Sequence, residues 1–218
     1  MMRRLFVIAM LVLLAFMIPS APTLGVADEQ PITEEPKKAV DVVIHRFHPA
    51  SRHVLIVGDS EACAVGQYVK QVVKEINQRN GQPLDDVTVS CKVSTTVEYW
   101  NRHLQQVLDT QSQAPDYVLV FLGTNHYWQT TVPPVQPIID MINVGFTNCI
   151  WIGNTAVRGK HWKIDGLIRD AVSPACNYFD TESFGIELAD GVHPTKTGAL
   201  KWIELIWGYM LPLKYEED

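Results

Sequence analysis

The chain has no cluster of lysine and arginine: 18 basic residues lie scattered among 24 acidic ones, for a formal charge of −6 over 218 residues. So acidic a surface argues against a nucleic-acid backbone or an anionic membrane as partner, and favours a neutral or apolar small molecule. Cysteine is scarce. The four present, Cys63, Cys91, Cys149 and Cys176, include no Cys-x-x-Cys pair, the usual spacing of a zinc site. There is no internal repeat. The apolar run Leu5–Ile18 has 14 residues, short of the roughly 20 that span a bilayer comfortably. What is present, 47% hydrophobic and 19% charged residues, suits one globular domain with a full core.

The first segment stands apart from that domain. Met1-Met-Arg-Arg4 is basic, the apolar run follows, and small residues lead to Gly25-Val26-Ala27 before Asp28-Glu29. This is the pattern of a secretory signal, with cleavage expected after Ala27, or of an N-terminal membrane anchor if it stays uncut. Either way the domain leaves the cytosol, for the periplasm or the exterior. Loss of residues 1–27 removes Arg3 and Arg4 and no acid, which takes the charge from −6 to −8. Residues 28–50 read as a linker, rich in acid and proline as far as Lys38, with a weak edge strand at Val40–Ile44. The main domain is expected from residue 51 to residue 218. His45, His48 and His53 cluster before the first strand, but they lack a carboxylate or thiolate at ligand spacing and read as surface or linker histidines; no metal is expected.

From His53 the chain alternates between two periodicities. Short β-branched or aromatic runs at His53–Val57, Val87–Val93, Tyr117–Leu122, Cys149–Ile152 and Asn177–Asp180 read as strands. Between and after them, helices are expected at Ala62 to about Asn80, Val97 to about Gln111, Pro133/Pro134 to about Val144, Lys163–Val172 and Thr195–Met210. Such alternation implies a parallel sheet with helices on both faces. Ligands then bind outside the carboxyl ends of the strands. The polar strings fall there: Gly58-Asp59-Ser60, Ser94-Thr95-Thr96 and Gly123-Thr-Asn-His126.

Ser60 stands where a strand turns into a helix, so its backbone N–H is one of the unpaired donors of a helix start. It is either a nucleophile with an oxyanion donor of its own or a helix cap. Asp190-Gly-Val-His193-Pro194 supplies a base and a carboxylate to orient it, or else a plain surface turn. Asn125 can offer an amide to a developing oxyanion, or form an Asx turn. His126, Tyr127 and Trp128 follow; beside a site they could form a wall for a sugar or acyl group, although aromatics are more often core.

Taken together, the Gly58-Asp59-Ser60, Gly123-x-Asn125 and Asp190-x-x-His193-Pro194 blocks resemble, in order and placement, those of the SGNH (GDSL) hydrolases, over roughly Val54 to Gly198. The resemblance implies a three-layer α/β/α sandwich with a five-stranded parallel sheet, flavodoxin-like, and ester hydrolysis without metal or other cofactor. Ser60 would be the nucleophile, His193 the base and Asp190 its partner. The oxyanion hole would comprise the Ser60 N–H, the Asn125 amide and a backbone N–H after the second strand. That last position is usually glycine in the family and is matched here by Ser94; a backbone N–H survives the change, but a close approach that needs glycine does not. The third block also ends in histidine instead of the more common aspartate.

Four cysteines allow three pairings. In the strand arrangement implied by the resemblance, Cys149 opens the fourth strand and Cys176 precedes the fifth, at one sheet edge. This favours Cys149–Cys176 and leaves Cys63–Cys91, with two buried free thiols at Cys63 and Cys91 as the alternative. The expected activity is that of an exported serine esterase removing short acyl groups, such as acetyl, from a carbohydrate or other small-molecule ester. A lipase- or thioesterase-like hydrolase, a sugar O-acyltransferase with the same residues and a non-catalytic binding domain are the competing readings.

Overall fold

The apolar runs become five strands, β1 His53–Gly58, β2 Asp86–Cys91, β3 Tyr117–Phe121, β4 Asn148–Ile152 and β5 Asn177–Phe179. All pair in parallel, in the order β2-β1-β3-β4-β5. The helices are α1 Ser60–Asn80, α2 Val97–Asp109, α3 Gln136–Asn143, α4 Lys163–Val172 and α5 Lys196–Met210. The computed structural model describes residues 52–80, 85–144, 147–155, 162–173 and 175–210, with the side chains of 72–80 excepted. The expected signal (1–27), linker and edge strand (28–50) lie outside the described residues, as do His45 and His48.

Side chains alternate along each strand, and both faces are apolar because both are covered. Val54, Ile56, Leu119, Phe121, Ile150 and Ile152 pack with α1 and α5, where Trp202, Ile206 and Trp207 are fully buried. Leu55, Val57, Val118, Val120 and Trp151 pack on the other face with Trp100 and Leu104 of α2, Ile138 and Ile142 of α3, and Ile168 of α4. These two cores make the three-layer α/β/α fold that the sequence blocks imply. At the amino edge of the sheet, Asp85 accepts from the Arg52 guanidinium at 2.7 Å and from Trp207 Nε1 at 3.0 Å, which satisfies a fully buried carboxylate.

Two local expectations change. The α3 helix opens at Gln136, with Pro137 in its first turn, instead of at Pro133/Pro134. Pro133 precedes another proline, which steers it away from the helical region; its carbonyl instead closes a tight turn on the Val135 N–H at 2.8 Å. His53 is buried in β1 and not at the surface, its ring 3.2 Å from the Gln113 carbonyl and 3.5 Å from Thr88 Oγ1.

Disulfides join Cys63 to Cys91 and Cys149 to Cys176. The first ties the opening turn of α1 to the carboxyl end of β2. The second links neighbouring strands at the opposite edge, where Ile150 is in register with Asn177.

Candidate active site

Strand order reverses at β1, which neighbours both β2 and β3, and the crevice outside the carboxyl ends of β1 and β3 is where such sheets bind ligands. Gly58 ends β1 at φ +152°, and a β-carbon there would overlap the Phe121 carbonyl of β3. Only glycine lets the two strand ends come this close. Asp59 N–H then donates to that same carbonyl at 3.1 Å.

Asp59 is the residue that caps α1. Its Oδ1 accepts the Glu61 N–H at 3.0 Å and its main-chain carbonyl accepts Cys63 N–H at 3.2 Å. Ser60, the first residue of α1, is thereby relieved of capping. Its hydroxyl lies 2.9 Å from His193 Nε2, and its N–H points from the helix start with no acceptor among the described residues.

The His193 loop is shaped by Asp190. Oδ1 accepts the N–H groups of Val192 (2.9 Å) and His193 (2.7 Å), and Oδ2 lies 2.7 Å from His193 Nδ1. Gly191 turns the chain at φ +82°, and Leu188 bridges to Pro194 beneath it. These donors, the His193 N–H first, hold the Asp190 carboxyl well below the usual carboxylate range although it is exposed. A charged Asp190 at Nδ1 fixes the ring proton there and leaves Nε2 to accept from Ser60.

Asn125 sits in a single 3₁₀ turn after β3, Thr124–His126. Its amide nitrogen donates to the Thr95 carbonyl at 2.8 Å and to Asp59 Oδ2 at 3.2 Å, so the amide is anchored beside the start of α1. An oxyanion would compete for the longer of these bonds. Ser94 lies in the loop after β2 at φ +61°, the one non-glycine residue among those described with a left-handed backbone. Thr95 Oγ1 closes that loop by donating to the Lys92 carbonyl at 2.7 Å and accepting Trp100 Nε1 at 3.0 Å. The left-handed backbone is the physical reason a glycine would suit position 94.

The aromatic group is divided. His126 is buried, and its Nε2 accepts the Val97 N–H at 3.1 Å, so it holds the start of α2. Trp128 is 61% exposed and packs edge-on to Tyr127, which in turn packs on Trp162. Tyr127 and Trp162 also line a small hollow with Asn154, Thr155, Ile164, Asp165 and Glu182. Among the described residues no group of three or more His, Cys, Asp or Glu side chains could hold a metal ion.

No sequence motif singles out Glu61, yet it stands at the heart of this region. It is fully buried, and its carboxyl meets Thr124 Oγ1 at 2.7 Å and Thr155 Oγ1 at 2.8 Å. A signal does exist in the chain: Glu61, Val65 and Val69 recur at every fourth residue of α1, the spacing of one helix face, and that face is buried.

The fold is a three-layer α/β/α sandwich on a five-stranded parallel sheet. No family model matches the sequence and no curated protein does, but solved structures share the architecture. An acetyl xylan esterase, AlAXEase, superposes with a TM-score of 0.53 at 17% identity, over 73% of this chain and all of its own. Axe2, an acetyl xylan esterase from Geobacillus stearothermophilus, matches in a single-residue variant at 0.53 and 16% identity, over 73% of this chain and 96% of that one. TesA matches at 0.55 and 18% identity, over 72% and 96%. Further Axe2 structures carry changes of a serine, an aspartate or a histidine and are described as catalytic mutants.

Proposed function

We propose that the protein is a serine esterase that cleaves carboxylic esters through an acyl-enzyme. The observation that carries this reading is the unbroken chain from Ser60 Oγ to His193 Nε2 (2.9 Å) and from His193 Nδ1 to Asp190 (2.7 Å), at the β1/β3 crevice. His193 takes the Ser60 proton as the hydroxyl oxygen attacks the ester carbonyl, and returns it to the leaving alcohol. Water, deprotonated by the same imidazole, then releases the acid. The oxyanion formed in each half is received by the Ser60 N–H, the Ser94 N–H and the Asn125 amide.

The substrate we assign is a short acyl group, such as acetyl, on a carbohydrate. Trp128 and Tyr127, close in sequence to Asn125, give a sugar ring an aromatic surface, and two neighbours of this fold are acetyl xylan esterases. The Axe2 catalytic mutants alter the same three residue types that meet here. TesA keeps a broader acyl hydrolase in view. Aryl esters of increasing acyl length test the assignment: acetate should be turned over fastest, and Ser60→Ala should lose at least about 10³-fold in kcat. A preference for long chains would replace the acetyl assignment with a lipase- or thioesterase-like one. Transfer of the acyl group to an added sugar in preference to water would make the protein an acyltransferase.

We also place the protein outside the cytosol. Two disulfides support this, because such bonds persist in oxidising compartments. Among the described residues no helix is long and apolar enough to cross a membrane.

A further inference from the structure

Glu61 lies one residue after Ser60, buried, with no lysine or arginine paired to it among the described residues. Beside the Thr155 N–H, two hydroxyls meet its carboxyl, and each of them serves two oxygens. Thr124 Oγ1 is 2.7 Å from Glu61 Oε2 and 3.0 Å from Asn154 Oδ1; Thr155 Oγ1 is 2.8 Å from Glu61 Oε1 and 3.2 Å from the Val192 carbonyl. The orientation of Asn154 is set by Asp165, whose Oδ1 accepts from both its amide nitrogen and its backbone N–H at 3.1 Å. So Oδ1 of Asn154, not its amide nitrogen, faces Thr124.

A hydroxyl has one proton to donate. Four oxygen–oxygen contacts therefore share two hydroxyl protons, and with an ionised Glu61 two of the four would be contacts between bare lone pairs. One proton on Glu61 reduces those two bare contacts to one. Placed on Oε1, it donates to Thr155, which then donates to Val192, while Thr124 donates to Oε2. Placed on Oε2, it runs the other way, through Thr124 to Asn154, while Thr155 donates to Oε1.

We propose that Glu61 works as a neutral carboxylic acid, a positioning residue that ties the loops after β3 and β4 to the chain entering His193. Through Thr124 it holds the turn that carries Asn125. Through Thr155 it holds Val192, the residue before His193. Neutrality also spares the oxyanion at the Ser60 N–H a buried negative charge close by. Burial, the largest influence, pushes the Glu61 carboxyl up to about 7, opposed by the threonine hydroxyls and the Thr155 N–H and reinforced by Asp165. Two neighbouring acids are themselves shifted upward. Asp59, on the other side of Ser60, is itself pushed well up by burial and by Glu61, and Asp165 at the start of α4 is raised by burial. The Asp190–His193 pair lies beyond Val192.

The sign of the pH effect follows. A carboxyl that holds its proton more tightly when folded favours the folded state at low pH, and this advantage is lost between about pH 4.5 and 7. Glu61→Gln keeps one acceptor and supplies a donor without ionising. Its Tm should lie within about 2 °C of wild type at pH 5.5 and exceed it by roughly 5 °C at pH 8.5. A Gln variant that is much less stable at pH 5.5, or whose Tm parallels wild type at both values, overturns the proposal.

The kinetic arm rests on the esterase reading. With an aryl acetate, Glu61→Ala should lose about tenfold or more in kcat with KM little changed, and Glu61→Gln should restore it. The ratio of kcat for Glu61→Gln to wild type should rise as pH passes 7. If glutamine fails to rescue what alanine loses, the positioning role of the neutral acid is wrong. If Glu61→Ala does not fold, Thr155→Val, which removes only the hydroxyl that reaches Val192, should show the same kcat loss; an unchanged kcat there overturns the tie. A wild type inert towards every ester contradicts the esterase reading, and the stability measurement then decides the protonation of Glu61 independently.

Discussion

Ser60 and Ser94 show how the same residue type takes different roles under backbone control. Asp59 caps α1, so the Ser60 hydroxyl is free for His193, and the sequence alternative of a capping serine gives way to a serine bonded to the imidazole. Ser94 is held at φ +61°, a region that costs an L-residue about 1 kcal/mol and glycine almost nothing. Ser94→Gly should therefore leave stability unchanged or raise it by a few tenths of a kcal/mol, while the β-branched Ser94→Val should lower it by about 1–2 kcal/mol. Urea titration reads both. A stable Ser94→Val would mean that the loop adopts another conformation. Of the aromatic trio, His126 is buried against the start of α2, whereas Trp128 is exposed and packs edge-on to Tyr127. Sequence spacing could not separate them, because a short 3₁₀ turn sends successive side chains in different directions.

At the scale of elements, strands and helices were legible wherever apolar periodicity was strong. β3 and β4 and the helices α2, α4 and α5 lie within a residue or two of where the pattern puts them. The rest was hidden for identifiable reasons. The start of α3 depends on the Pro133-Pro134 pair, which reads equally well as a helix opening or as a turn. His53 sits on a strand whose burial comes from neighbours distant in sequence, Thr88 and Gln113. Glu61 was concealed by its charge, which suggests a solvated position until its place on the face with Val65 and Val69 is considered. The Cys63–Cys91 disulfide braces this region, since it joins α1 one turn beyond Ser60 to the end of β2. It closes a sequence separation of 28 residues, for which the loss of unfolded-chain entropy is worth about 3–4 kcal/mol. Replacing both cysteines by serine should lower stability by that amount in guanidinium titration and reduce kcat as the site loosens. Unchanged stability would show that the bond constrains nothing.

For the whole molecule, the parallel sheet does most to define function. Its order β2-β1-β3-β4-β5 brings the loops after β1, β2, β3 and β4 to one edge, and the candidate residues come from them and from the loop before α5. Sequence order alone places Ser60 and His193 133 residues apart; the fold brings them to 2.9 Å. The acidic surface suits a neutral ester better than a polyanion. If the protein is exported with its leader removed, the mature chain should begin at Asp28, and its intact mass gives the answer. A chain that retains Met1 would favour the N-terminal anchor. The central claim is that Ser60 is a nucleophile activated by His193, and covalent labelling tests it most directly. A fluorophosphonate probe followed by peptide mapping should place one adduct on Ser60 and none on Ser60→Ala or, at the same exposure time, on His193→Ala. Labelling of Ser60→Ala to the wild-type extent, or an adduct on any other residue, would contradict it.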